Sequence, residues 1–211
     1  MQVERLAQYD DDKGMTFQDA IAAAQKQSVR ILSNKEIDAR LQGDDWKQEK
    51  EMYPCWTGTF IAYPAKGQPF GKTVEYKGMT FNVPRKFQGK KDRAIICNHP
   101  DFILKGNIIT PGKSARCIPF PQKDGWYVPD VASEVPSGGG SSVGTARYLW
   151  RWSTPYCGLL ARRYYGLGGR NRRGVVAGCG PGSRLGVFGV KGTFKMPEHK
   201  HVFKCECGAT R

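Results

Sequence analysis

The sequence has only three histidines, no acidic residue between Glu134 and Glu198, and no long apolar run. The longest apolar stretches fall well short of the ~20 residues that a membrane-spanning helix needs. His99, His199 and His201 have no evident Ser, Cys or Asp partner at catalytic spacing, so triad-type nucleophilic catalysis is not expected. The acid-free stretch 135–197 cannot supply paired carboxylates for acid–base chemistry. The opening stretch MQVERLAQYDDDKG carries acids and no apolar core, so no signal peptide is expected, and with no long apolar run no membrane insertion is expected either. Seven cysteines (55, 97, 117, 157, 179, 205, 207) are odd in number and irregularly spaced, which argues against a disulfide framework and for reduced thiols.

What is present is a basic chain of 211 residues, with 33 Lys and Arg against 19 Asp and Glu and a formal net charge of +14. That length suits a single domain with a real core. The excess is concentrated: ten basic residues from Arg147 to Lys195 face no acid, and fifteen of the 26 glycines lie between Gly138 and Gly192. No internal repeat is visible.

Thr16 with Asp19 is an N-terminal cap pattern, and Phe17, Ala20, Ile21 and Ala24 recur at helical spacing, predicting an amphipathic helix from Thr16 to about Gln27. Ser28–Leu32 reads as a short extended step. Ser33 with Glu36 forms a capping box for a second helix whose apolar face holds Ile37 and Leu41. From Tyr53 the pattern changes to short β-like runs: Trp56–Tyr63, Thr73–Tyr76, Met79–Val83, Ala94–Cys97 and Phe102–Ile109, with turns at Lys77-Gly78 and Lys105-Gly106. The last strand candidates are Tyr148–Trp152, Cys157–Tyr165 and Arg184–Val190.

Three motifs invite a chemical reading. Pro111-Gly-Lys-Ser114 resembles a phosphate loop but lacks the glycine five residues before its Gly-Lys, so it reads as turn residues. Gly166-x-Gly168 has Asn171 where a dinucleotide fingerprint needs its third glycine. His199, His201, Cys205 and Cys207 could fill a tetrahedral site in number, but the single residue between the cysteines is not zinc-site spacing, and the cluster reads as a polar tail. No metal and no cofactor are expected.

The most unusual feature is compositional. Lys, Glu, Gln, Met and Trp supply 46 of 211 residues, yet none occurs in the 38 residues from Ser153 to Val190. By simple proportion about eight should fall there. If codons of the form AAY are randomised at both adenines, every product keeps a third-position pyrimidine, and such codons cannot encode those five residues. In this respect the window resembles the variable proteins of diversity-generating retroelements, which typically carry a C-type lectin fold of the formylglycine-generating-enzyme type. Met15-Thr-Phe-Gln-Asp-Ala20, Ala24 and Arg30–Glu36 are similar to the start of that fold. Arg147–Trp152, Leu160–Tyr165 and Ser183–Gly189 are similar to its C-terminal strands.

The resemblance implies an α+β, C-type lectin-like fold over 1–211: two N-terminal helices, then short antiparallel strands and long loops. Residues 53–137 would be a β-rich insertion and 153–183 a variable region. It implies a ligand-binding protein and not an enzyme. The implied binding face is Ser153, Thr154, Tyr156, Cys157, Tyr164, Tyr165, Arg172, Arg173, Gly174, Val175, Val176, Ala177, Gly178, Cys179, Gly180 and Gly182. Trp150, Trp152, Leu159, Leu160, Leu185 and Val187 would support it. The implied partner is a protein or cell-surface ligand, as at a phage receptor-binding tip. Two features of the family have no counterpart: Cys157 and Cys179 lie inside the diversified run and do not place its catalytic cysteine pair, and no acid-rich calcium loop occurs near the C-terminus. The second reading is a nucleic-acid partner, with the clustered arginines on phosphate and the aromatics stacking on bases. The third is an enzyme of the formylglycine-generating type.

Overall fold

The computed structural model describes residues 3–7, 14–41, 55–130, 132, 135–138, 147–151, 154–163, 174–177 and 183–191. The N-terminal part folds as its caps dictate. Helix α1 (Phe17–Lys26) begins at Thr16, whose hydroxyl accepts the Asp19 backbone N–H at 3.2 Å, and it buries Phe17, Ala20, Ile21 and Ala24. Helix α2 (Asn34–Leu41) begins with the Ser33–Glu36 box closed both ways. Ser33 Oγ accepts from the Glu36 N–H at 3.3 Å, and the Glu36 carboxylate accepts from the Ser33 N–H at 2.9 Å. Arg30 adds a two-pronged ion pair to Glu36. Burial pushes the Glu36 carboxyl up, but the bonds from Arg30 and Ser33 outweigh it and leave it below its ordinary value. Between the helices lies strand β2 (Val29–Ile31).

Strands carry the rest of the fold. Strand β3 (Cys55–Tyr63) is buried along its whole length and pairs antiparallel with β13 (Tyr156–Arg163). A strand covered on both faces has no reason to alternate polar and apolar residues, and Phe60, Ile61, Ala62 and Tyr63 run apolar without a break. The larger sheet continues from β13 to β14 (Gly174–Ala177), β12 (Arg147–Arg151), β10 (Gly125–Pro129) and β11 (Pro136–Gly138). On its other side β3 pairs with β15 (Gly186–Lys191), which also carries β1 (Val3–Ala7) and β2. Strands β6 (Arg93–Asn98) and β9 (Arg116–Pro119) branch from the second half of β3. A separate four-stranded sheet holds β4 (Thr73–Tyr76), β5 (Met79–Asn82), β7 (Phe102–Lys105) and β8 (Ile108–Pro111). Its hairpins turn at Lys77-Gly78 and Lys105-Gly106, where Gly78 and Gly106 take φ of 81° and 55°.

These features overturn the expected α+β, C-type lectin-like arrangement. Strand makes up 50% of the structure and helix 14%, and the sheets are mixed, with parallel pairings of β3 with β15, β12 with β14 and β5 with β8. Each helix contributes one apolar stripe, whereas the strands supply most of the core, so the sheets set the architecture. Within residues 53–137, β3, β6, β9 and β10 belong to the larger sheet, and β4, β5, β7 and β8 form the smaller one.

The sheet forks on β3. Cys55 and Trp56 bond β15, while Thr59 to Ala62 bond β6, and the ladder to β13 is irregular between Trp56 and Phe60. Backbone groups freed at a fork still need partners. The Gly58 N–H donates to the Leu32 carbonyl, and the Gly58 carbonyl accepts from the His99 N–H at 2.7 Å. Any Cβ at position 58 would run into the Ile31 carbonyl. Gly58→Ala should therefore cost about 1–3 kcal/mol through overpacking. Urea denaturation would read this as a lower midpoint, and an unchanged midpoint would mean that β2 and β3 do not approach so closely.

Candidate functional site

The structure divides the sequence-expected binding face. Thr154 is exposed just before β13. Tyr156 and Cys157, expected on the face, are instead core residues, and this is a correction. The Tyr156 ring lies 5.6 Å from that of Tyr63 and 4.9 Å from that of Tyr76, and its hydroxyl donates to the Leu159 carbonyl at 2.9 Å. The Cys157 thiol approaches the Met79 carbonyl at 3.6 Å, and burial pushes it up to about 12. A thiol kept protonated in this way is not a nucleophile at neutral pH. The physical reason for the correction is position: β13 lies between β3 and β14, with β4 and β5 of the smaller sheet packed against it.

Gly174, Val175, Val176 and Ala177 form β14, parallel to β12 and antiparallel to β13. Ser153, Tyr164, Tyr165, Arg172, Arg173, Gly178, Cys179, Gly180 and Gly182 lie outside the described residues, as do His199, His201, Cys205 and Cys207. Of the expected support, Leu159, Leu160, Leu185 and Val187 are buried, Trp150 is half-buried beside Tyr148 at 4.6 Å, and Trp152 is outside the described residues. Within the window, the residues described as buried lie on β13, on β15 and at Leu185 just before it.

Two polar residues that composition did not single out sit deep in the structure. His99, which reads in the sequence as an ordinary turn residue, is buried at the fork, and its Nδ1 accepts the Ile31 N–H at 3.3 Å. Burial, with a smaller contribution from the Arg30 charge, pushes its pKa down to about 4. Arg151 is buried on β12, its guanidinium 4.4 Å from the centroid of the Tyr63 ring, and it reaches the Pro64 carbonyl and Gln122 Oε1 at 3.4 Å each. The Arg151 backbone N–H also donates to Asp124 Oδ1 at 2.6 Å. Only the aromatic neighbourhood of Arg151 was visible in the sequence; its burial depends on β3 and the segment 120–124 converging on it.

Among the described residues no three His, Cys, Asp or Glu side chains are grouped to hold a metal ion, and no helix is long and apolar enough to cross a membrane. No family model, curated protein or solved structure matches the chain.

Proposed function

We propose that this protein is a ligand-binding protein that displays a diversified surface, as in the variable proteins of diversity-generating retroelements, toward a protein or cell-surface target. One observation carries the reading: 38 consecutive residues, Ser153 to Val190, contain none of the five residue types that AAY-derived codons cannot encode. The reading rests on that signature and not on a fold family.

The burial pattern refines which positions would vary. A diversified position must accept many side chains, so it cannot be one that fills the core. Leu159, Leu160, Ala161, Leu185, Val187, Phe188 and Val190 would be constant, and Tyr156 and Cys157 join them. Variation would then fall on Thr154 and on the residues joining β13 to β14 and β14 to β15. Tyr and Arg at 164, 165, 172 and 173 suit such a surface, because they carry much of the energy in protein interfaces.

Two libraries of pyrimidine-ended codons test this division. One varies Thr154, Tyr164, Tyr165, Arg172 and Arg173; the other varies Tyr156, Cys157, Leu159 and Leu160. Most members of the first should remain folded by protease resistance on a display platform, and most of the second should not. Equal survival, or the reverse order, would contradict the proposal.

A further inference from the structure

A second charged surface lies outside the diversified window. From Pro64 to Arg93 the chain has eight Lys or Arg and two acids, an excess hidden in the overall charge by the acidic residues before Pro54. The fold gathers this excess. The Phe70 N–H donates to the Lys90 carbonyl at 3.0 Å, the Gly89 N–H to the Phe70 carbonyl at 2.8 Å, and the Val83 N–H to the Lys72 carbonyl at 2.9 Å. The loop before β4 is thereby tied to the 3-10 turn Arg85–Phe87 and the residues that follow it. The ammonium groups of Lys86 and Lys90 both sit over the Phe87 ring, 4.9 and 5.7 Å from its centroid. Lys72, Arg85, Lys86, Lys90 and Lys91 are exposed and Arg93 is half-buried.

The acids of the stretch do little to neutralise this group. Among the described residues none of the six is in an ion pair. Asp92, exposed between Lys91 and Arg93, has a backbone φ of 52°. Its carbonyl accepts from the Phe120 N–H, and its charge acts on Arg151. Glu75 lies on β4.

We infer that Lys72, Arg85, Lys86, Lys90, Lys91 and Arg93 form a docking surface for the phosphate backbone of a nucleic-acid duplex. Five of the six are well-exposed cations and most are lysines, which act as point charges on flexible stems and meet repeated phosphates without a fixed geometry. Single strands are disfavoured because the rings within the patch, Phe70 and Phe87, are buried and offer bases nothing to stack on. A lipid surface is disfavoured because the exposed large apolar residues among those described, Ile108 and Val128, lie elsewhere in the sequence and none is in the patch to insert. The surface would contact phosphate without reading sequence.

The test is fluorescence anisotropy of the full chain with a mixed-sequence 20-bp DNA duplex over a range of salt. Six phosphate contacts predict a log–log slope of about −5, and about a thousandfold loss of affinity between 50 and 200 mM salt. The triple variant Lys86→Gln, Lys90→Gln, Lys91→Gln should bring the slope to about −2.7 and the loss to about fortyfold. Replacing the same three lysines with arginine should restore the original slope. All three positions are exposed, and circular dichroism of each variant confirms that it is folded. No duplex binding by the parent chain, an unchanged slope in the glutamine variant, tighter binding to a single strand of equal length, or binding only to anionic vesicles would each overturn the inference.

Discussion

Tyr156→Ala should destabilise the protein by about 3–5 kcal/mol, the range for deleting a large buried side chain. Against a total of about 5–15 kcal/mol for a domain, that leaves little folded protein in mild urea. The ring is fully buried between those of Tyr63 and Tyr76, on the strand at the centre of the larger sheet, and truncation leaves a cavity that two other strands would have to close. Tyr156→Phe should cost only about 1 kcal/mol, because it removes the hydroxyl's bond to the Leu159 carbonyl and leaves the packing. Thr154, two residues earlier and exposed, should accept alanine within about 0.5 kcal/mol. Urea denaturation of the three variants reads all of this at once. If Tyr156→Ala and Thr154→Ala were equally stable, Tyr156 would not be a core residue and would return to the binding face.

Acidification should weaken the fold through His99. An unfolded histidine titrates near 6.5, while in the folded chain this one is held near 4 by burial and, secondarily, by Arg30. Above pH 6.5 both states are neutral and the stabilising contribution is complete. As the pH falls, the unfolded state takes up a proton first, so stability declines through that window and levels off below about 4. The full loss is about 3 kcal/mol. The mechanism is local: the Nδ1 lone pair that accepts the Ile31 N–H is the site that a proton would occupy. Asn at position 99 places an uncharged acceptor in a similar position. His99→Asn should therefore flatten the stability profile between pH 6.5 and 5, a range above that in which Glu36 titrates. An equally steep decline in that variant would assign the pH dependence to other groups.

Local chemistry was legible in the sequence where its cause was local. The Thr16 and Ser33 caps, the apolar stripe of α1 and the two Lys-Gly hairpin turns all depend on residues within a few positions of one another. The strands from Trp56 to Ile109 were legible for the same reason, being short apolar or alternating runs between turn residues. Strand β1 was not, because its partner β15 lies at the other end of the chain. Strand β14 was hidden in a glycine-rich run without period, since its neighbours β12 and β13 supply the pairing that its own sequence does not announce. The α+β expectation gave the helices too much weight, because strong capping signals reveal a helix without revealing how much of the core it builds.

The binding face was misread at Tyr156 and Cys157 for a related reason. Tyr-Cys-Gly-Leu-Leu-Ala is a continuous run of the kind that a fully covered strand shows, but the residue types absent from the window drew its first two residues toward the surface while Leu159 and Leu160 were assigned to the support. The cluster of cations at 72–93 does not show in the net charge because the acids earlier in the chain offset it.

The central proposal is that positions fixed by the core and diversified positions share the window from Ser153 to Val190. Sequencing the gene's surroundings and aligning any near-copy of that segment tests it most directly. The account predicts a near-copy beside a reverse-transcriptase gene, differing from the coding segment only where the copy has adenine. It also predicts that the codons for Leu159, Leu160, Ala161, Leu185 and Val187 are identical in the two. Absence of a copy, differences at other bases, or differences falling equally on those buried codons would contradict it.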